Sequence, residues 1–597
     1  MCGIFGIINH DDSLPAATIQ TCFEKGRGRG PEMSHLTSVN IKAIFGFHRL
    51  AINGVHDVAA NQPIQIGDIS LICNGEIYNY RELYELMGVE PHSKSDCEVI
   101  IHLYLRYGIE QTVQMLDGVF AFALLDGRIQ YPNTRLYLAR DPYGVRPLYW
   151  VRWPSSSTVA FASEVKSLIG LLPTTASAVG AAGTAGATVA HFPPGHFAEF
   201  SLKFQVNPEW TGGELSPYHT PGFSTTGWMN TSYEEVFENI RQFFTSAVTK
   251  RCITTERPIA CLLSGGLDSS LVAALVQDYQ QIHSLPPVET YSIGLADSVD
   301  LKYARKVADY LGTNHTEIVL TEEDFIAAIP EVIGAIESYD TTTVRASIGN
   351  YLLGKYIAAN SEAKVIFNGD GSDELMGGYL YMHACPDPVE YDRESRRLLR
   401  DIHAFDVLRS DKSISSHGLE PRTPFLDRAW VQYYLSLPPA IRYLVSRNGY
   451  CEKGLIRNAF SQSVDPFLES VDTLLESRMA FTPNPLSQSG MAFTPNPLLP
   501  KDILWRRKEA FSDGVSCHGR SLYTILQEFT SKQVTPEMVQ NAPWTHNKPT
   551  TPEQYYYRSI FEKFYPGQGK LVPYLWMPKY VDAADASART LAIYADT

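Results

Sequence analysis

The sequence predicts two folds in series, a strand-rich α+β unit over residues 2–205 and a parallel α/β unit over 231–560, with a C-terminal tail at 561–597. Three observations predict this. Up to about residue 168, short β-type runs alternate with turns. Beyond about 232 the pattern changes to helical stretches alternating with short apolar runs, which is how a parallel sheet covered by helices reads. At 597 residues the chain exceeds what one core fills.

In the first unit the strands are expected at 4–8, 43–48, 69–73, 119–125, 136–139 and 159–162. A helix is expected at 96–107, with Val99, Ile100, Leu103 and Tyr104 on one face. Residues 167–190 carry no charge and would be long enough to cross a bilayer. They hold Pro173 and are mostly Ala, Gly, Thr and Ser, so they are too poor in bulky apolar side chains to favour insertion and read as a flexible linker or loop. The polar Gly/Pro/Ser/Thr-rich stretch 206–230 reads as a linker.

The second unit reads as helix 233–251, strand 259–263, helix 269–280, strand 290–293, helix 301–311 and strand 316–319, then mostly helix to about 528. The octamer MAFTPNPL occurs twice, at 479–486 and 491–498, and 461–498 reads as an inserted surface loop. Fifty basic against 65 acidic residues leave a net charge of −15, which argues against a nucleic-acid partner held by a basic field. Nine cysteines without CxxC or CxxH spacing indicate neither a disulfide framework nor zinc, so a reducing compartment, the cytosol, is expected. Asn9-His10-Asp11-Asp12 interrupts the only candidate signal segment, and no membrane association is expected.

Chemistry begins at the second residue. With Met1 trimmed, Cys2 carries a thiol and a free α-amine, and such an amine titrates at about 7.7–8.0, near the optimum for a general base. Arg49 suits a bidentate pair with a carboxylate. Asn74-Gly75, read as following a strand, offers a side-chain amide and a backbone N–H for an oxyanion hole, with Glu76 free to hold an ammonium and Asp96 a second acceptor. Taken singly, Asp96 reads equally as a helix cap and Arg49 as a surface ion pair. MCGIFG, RGP (Arg29-Gly30-Pro31), HRLAI, NGEIYN and RDPYGVRPLY, in this order, resemble the class II glutamine amidotransferase domain. The resemblance implies an N-terminal-nucleophile hydrolase fold (αββα) in which Cys2 attacks the glutamine amide and releases ammonia. It implies that Asn74 and Gly75 hold the oxyanion and that Arg49, Leu50, Ala51, Ile52, Asn53, Gly75, Glu76 and Asp96 bind glutamine. Glu32 departs from the family's Asp after RGP.

Ser264-Gly265-Gly266-Leu267-Asp268-Ser269-Ser270, between a predicted strand and helix, combines backbone that approaches phosphate, hydroxyl donors, a helix N-terminus and an Mg²⁺-ligating carboxylate. It lacks the Lys-Ser/Thr of a Walker A loop. It resembles the pyrophosphate loop of enzymes that split ATP to AMP. Tyr339–Ser347, Asn368–Glu374 and Trp505–Gly514 add hydroxyls, an acidic Gly-rich loop and a lysine. With both halves read together, the chain resembles the glutamine-hydrolysing asparagine synthetase family, which implies an ATP-pyrophosphatase domain. That resemblance implies ATP-driven adenylation of aspartate, capture of glutamine-derived ammonia through an internal tunnel, and release of asparagine, AMP and pyrophosphate, with a homodimer as the assembly. Leu263, Ser264, Gly265, Gly266, Asp268, Ser269, Ile293, Asn368, Gly369 and Lys508 match nucleotide and pyrophosphate positions. Thr342, Thr343 and Arg345 match residues near aspartate, and Asp268 and Asp373 Mg²⁺ ligands. The family's SGEGSDE is NGDGSDE here, so the catalytic position is Asp370, its carboxylate withdrawn by one methylene, and slower synthesis is expected. Two alternatives stay open on sequence alone, another carboxylate acceptor and a catalytically weakened paralogue.

Overall fold

The computed structural model describes residues 2–10, 14–128, 134–153, 157–172, 187–203, 207–222, 232–447, 452–461, 497–509, 514–516, 520–583, 585–587 and 591. Apolar alternation in the first half builds two six-stranded sheets. The first runs β10 (Ala190–His191), β8 (Tyr149–Arg152), β9 (Val159–Ala162), β1 (Gly3–Ile8), β3 (Ala43–Arg49), β2 (Met33–Asn40). The second runs β12 (Glu209–Pro217), β11 (His196–Lys203), β7 (Arg135–Arg140), β6 (Gly118–Asp126), β5 (Ile69–Ile77), β4 (Ile64–Ile66). Ile4, Ile8, Phe45 and Phe47 of one sheet and Ile72, Ala121, Ala123 and Leu138 of the other share one buried cluster, so the sheets pack face to face. Helices Tyr80–Met87 and Val99–Met115 cover the outer face of the second sheet, and Ala16–Glu24 and Lys166–Ile169 that of the first. The expected αββα layering is the one observed. Because β1 lies between β3 and β9, antiparallel to both, Cys2 is delivered at the end of a central strand.

The second half is a five-stranded parallel sheet, β15 (Asn314–Leu320), β14 (Glu289–Leu295), β13 (Ile259–Leu262), β16 (Val365–Phe367), β17 (Glu420–Arg422), wrapped by helices. In open parallel sheets ligands sit beyond the carboxyl ends of the strands, and there β13 leads into helix Leu267–Ile282 and β16 into the acidic loop.

The elements differ from the sequence reading in several places, and β2, β4, β8 and β17 were not among the expected strands. β5 runs through Asn74-Gly75-Glu76 to Ile77, so this motif lies in the strand and does not follow it. The stretch read as linker contains β12, an edge strand paired with β11 over eight positions. The helix expected at 96–107 begins as a 3₁₀ turn, Asp96–Glu98, and continues to Met115 past a break at Gly108. The tail boundary at 561 falls inside helix Pro552–Phe564. Of the stretches read as a flexible loop at 167–190 and an inserted loop at 461–498, residues 173–186 and 462–496 lie outside the described residues, whereas the start of the first belongs to the short helix Lys166–Ile169. No helix among the described residues is long and apolar enough to cross a membrane.

A seam of buried charges joins the halves. Arg29 pairs with Glu164 (2.7 Å) and, across the seam, with Asp411 (2.8 Å). Lys412 pairs with Glu164 (3.2 Å) and Glu337, and Arg146 reaches Asp411 and Glu420. These side chains are at most 3% exposed. Each cation thus meets the opposite charge that burial requires.

Candidate active sites

Strand geometry builds the first site. Gln62 bonds both backbone groups of Cys73, accepting at 2.6 Å and donating at 3.2 Å, and Ile77 N–H donates to Asp96 Oδ2 at 2.7 Å. These partners lie on the edge of β5 facing away from β6. Since N–H groups two residues apart share an edge, Gly75 N–H points to that same open edge. Gly75 also lies so close to β6 that a Cβ would stand 2.3 Å from Val119 O. Asn74 is fully buried. Its Nδ2 reaches only Ser163 Oγ at 3.5 Å, and its Oδ1 has no hydrogen-bond partner among the described residues. Nδ2 has only that long contact, so its N–H is available to donate to an anionic oxygen. Cys2 Sγ donates to Leu50 O at 3.6 Å, and desolvation pushes its thiol up.

Arg49 closes the other side. It is 8% exposed and meets no carboxylate among the described residues; instead it holds a loop through Asn61 Oδ1 (2.7 Å) and Gly54 O (2.6 Å). Asn53 Nδ2 donates to Glu76 (2.8 Å) and Asp96 (3.1 Å), tying two buried carboxylates together. Desolvation and the neighbouring Asp96 push Glu76 well up, and desolvation pushes Asp96 up to about 6. Two carboxyls this strained favour an arriving cation. Asp96 is no helix cap here, and Arg49 no surface ion pair. Glu32, the departure after RGP, accepts from Ala51 N–H at 2.6 Å and pairs with Arg257 at 3.0 Å, so its extra methylene is absorbed in an ion pair to the second half. Ile52 carries the same junction, its C=O accepting from Glu256 N–H.

The second site lies at the carboxyl ends of β13, β14 and β16. One cavity is lined by Leu263, Ser264, Gly266, Asp268 and Ser269 with Ile293, Thr342, Asn368, Gly369, Asp370, Asp373 and Lys508, so these expected residues do come together. Gly265 is not on the wall. Its φ of +71° and the 2.4 Å that would separate a Cβ from Tyr303 C explain why only glycine serves there. Ser264 Oγ and Ser269 Oγ are 3.0 Å apart. The most concentrated charge is a lattice of two lysines and two aspartates. Lys453 Nζ bonds Asp268 Oδ2 (2.6 Å), Ser372 Oγ (2.8 Å) and Asp373, and Lys508 Nζ bonds Asp373 Oδ2 (2.6 Å). The lysines hold Asp373 well below the usual carboxylate range. Asp268 Oδ1 has no hydrogen-bond partner among the described residues. No group of three or more His, Cys, Asp or Glu that could hold a metal occurs among them. One open carboxylate oxygen beside a phosphate-sized cavity suits Mg²⁺, which takes one or two carboxylates and completes its shell from phosphates and water.

Around the acidic loop, Asp370 Oδ1 lies 3.3 Å from Arg409 while Oδ2 has no hydrogen-bond partner among the described residues. Asp406 pairs with Arg409 and accepts from Gly371 N–H at 3.1 Å; desolvation pushes it up to about 6. Two expected residues are not on the wall of this cavity; Thr343 lines the smaller chamber beside it. Thr343 Oγ1 donates to Asp340 (2.8 Å) at the start of helix Thr341–Asn360. Arg345 points away from the nucleotide cavity, its guanidinium paired with both Glu553 and Asp585.

Comparison with known proteins agrees with this two-site geometry. Residues 1–202 match the glutamine amidotransferase domain, and 239–389 and 385–468 match asparagine synthase. Proteins described as glutamine-hydrolysing asparagine synthetases are 41% identical over 611 residues in Cricetulus griseus and Gallus gallus and over 619 in Homo sapiens, covering 100% of this chain and 99% of each relative. The chain belongs to the glutamine-hydrolysing asparagine synthetase family. Seen as a family member, it accommodates its altered acidic loop locally: Asn368 Nδ2 donates to Ser410 Oγ at 2.7 Å, and Asn368 Oδ1 accepts from Asp370 N–H at 3.3 Å.

Sequence reasoning missed Lys453 and Arg506. Arg506 lies within the Trp505–Gly514 motif but was given no role; it donates to Asp300 (2.8 Å) and Ser264 O (3.3 Å). Lys453 follows no glycine-rich signature. Only its left-handed φ of +63°, rare for a side chain with Cβ, marks it as constrained.

Proposed function

We propose that this chain makes asparagine from aspartate, ATP and glutamine, giving AMP, pyrophosphate and glutamate. The observation that carries the reading is the pairing, in one chain, of an oxyanion site on the open edge of β5, tied to the Cys2 strand through Ser163 Oγ, with a lysine–aspartate lattice at the SGGLDSS loop. With Met1 removed, the Cys2 α-amine takes the thiol proton and the sulfur attacks the glutamine amide. Asn74 Nδ2 and Gly75 N–H receive the oxyanion, and as the C–N bond breaks the α-ammonium returns its proton to the nitrogen, which departs as ammonia. Arg49 pairs with the α-carboxylate, and Glu76 and Asp96 hold the α-ammonium. Water then cleaves the thioester to glutamate.

In the second half, a β-carboxylate oxygen of aspartate attacks the α-phosphorus of ATP, and the bond to pyrophosphate breaks. Lys453 and Lys508 neutralise the departing charge. Asp268 and Asp373 would hold Mg²⁺, which when bound offsets the charge of the phosphates. Ammonia attacks the acyl-adenylate carbonyl, AMP leaves, and the proton released passes to a neighbouring base, a role the unpartnered Oδ2 of Asp370 supports. A cytosolic homodimer rests on the family likeness alone.

Mass spectrometry of products tests this. Cys2→Ala should abolish glutamine-dependent asparagine formation and keep the ammonium-dependent reaction. Absence of AMP from the unmodified enzyme would overturn the proposal.

A further inference from the structure

Next to the nucleotide cavity is a smaller chamber that shares Thr342, Tyr379, Asp406 and Arg409 with it. Its far wall is C-terminal: Tyr574 and Trp576. A third hollow, also bordered by Thr342 and Tyr379, is closed by Trp576, Ser587 and Leu591. The chamber carries Asp340, Glu374, Asp401 and Asp406 against Arg409. This is a charge pattern for a small zwitterion with an ammonium among carboxyls and a carboxylate at a guanidinium. Two polar atoms there lack hydrogen-bond partners among the described residues, Thr342 Oγ1 and Oε2 of the 4%-exposed Glu374. A buried carboxyl oxygen left open in this way is costly unless a ligand completes it.

What keeps this wall in place is specific. Trp576 N–H donates to Asp340 Oδ1 at 2.8 Å, while Asp340 Oδ2 accepts from Thr343 N–H (2.9 Å) and Oγ1 (2.8 Å). One carboxylate therefore caps helix Thr341–Asn360 and anchors the C-terminal segment. The Trp576 ring lies 5.2 Å from that of Tyr379, whose hydroxyl donates to Glu374. One helical turn beyond Thr342, Arg345 donates to Glu553 (2.8 and 2.6 Å) and Asp585 (2.7 and 3.0 Å). The guanidinium is fully engaged by these two C-terminal carboxylates, and Asp585 itself touches none of the chambers.

We propose that the C-terminal residues 572–583 and 585–587 form the acceptor side of the synthetase site, with Trp576 and Asp585 as positioning residues that fix Thr342 and Tyr379 for the amino-acid acceptor. This rests on the asparagine-forming reading above, which aspartate-dependent pyrophosphate release by the unmodified enzyme tests separately. Trp576→Ala and Asp585→Asn should each raise KM for aspartate at least about ten-fold, since displacement of about 1 Å at a reacting centre costs up to ~10²-fold. KM for ATP should rise much less, since Thr342 and Tyr379 form only one edge of the nucleotide cavity, and the glutaminase rate in the absence of aspartate should stay near that of the parent. Trp576→Phe, which keeps the ring contact with Tyr379, should restore aspartate KM. Equal rises in both KM values, or an unchanged aspartate KM, would overturn the proposal. A second measurement needs no variant: in the unmodified enzyme, aspartate with a non-hydrolysable ATP analogue should slow amide exchange over 572–583 beyond the analogue alone. No added protection there would overturn it as well.

Discussion

Lys453→Met removes the ammonium that Asp268 and Asp373 share while keeping most of the side-chain volume. The side chain is 1% exposed and makes three polar contacts, to Asp268 (2.6 Å), Ser372 (2.8 Å) and Asp373. Breaking a buried ion pair by deleting one partner costs about 3–5 kcal/mol. Lys508 stays within 2.6 Å of Asp373 and 3.8 Å of Asp268, so the lower end, about 3 kcal/mol, applies to unfolding. The same order of loss in stabilising departing pyrophosphate corresponds to about 10²-fold in rate, at 1.36 kcal/mol per decade. Pyrophosphate release with aspartate, ATP and ammonium measures the synthetase, glutamate release measures the glutaminase, and urea unfolding measures stability. The expected pattern is a synthetase about 10²-fold slower with glutaminase near that of the parent. A loss below about ten-fold, or a parallel fall in glutamate release, would refute the assignment of Lys453 to the leaving group.

Asp370→Glu extends the carboxylate by one bond, about 1.5 Å, from a position where Oδ2 is without a partner, and should speed synthesis; an unchanged or slower rate removes Asp370 as the cause of any slowness. Asp96 has a pKa raised to about 6, chiefly by desolvation, so KM for glutamine should climb as pH falls through about 6 and the acceptor is lost. Because the fold prefers that carboxyl protonated, its ionisation costs stability as pH rises from the unfolded value through about 6. Asp96→Asn should therefore bind glutamine poorly at every pH yet unfold later at pH 7.5, and a variant less stable there would contradict this. Removing divalent cations with EDTA should stop pyrophosphate release and spare glutamate release, whereas persistence of both would take Mg²⁺ out of the site.

Much of this architecture is legible in the residues because the informative parts are local. Apolar runs place β1, β3, β5, β6, β7 and β9 of the two sheets but not β2, β4 or β8, and SGGLDSS declares a strand–phosphate loop–helix unit whatever surrounds it. Asn74 and Gly75 were found by composition, but their use of an open strand edge depends on Gln62 and Asp96 occupying the neighbouring edge groups, which no spacing reveals. β12 was hidden by glycines and polar residues, since an edge strand covered on one face needs little apolar sequence. Lys453 escaped because its partners are distant in sequence, Asp268 by 185 residues and Ser372 by 81. Arg345 matches a ligand-site motif, yet its charge goes to Glu553 and Asp585, more than 200 residues downstream. Such pairings are long-range facts that local pattern does not encode.

The seam of Arg29, Arg146, Glu164, Glu337, Asp411, Lys412 and Glu420 bears on how such a protein can be taken apart. Severed between its halves, each fragment would present cations or anions whose counter-charges had gone with the other, and water would claim them. Re-association would then demand a surface bearing the same map of signs, position by position. Chimaeras that trade one half for a relative's are thus a trial of charge registry before they are a trial of catalysis.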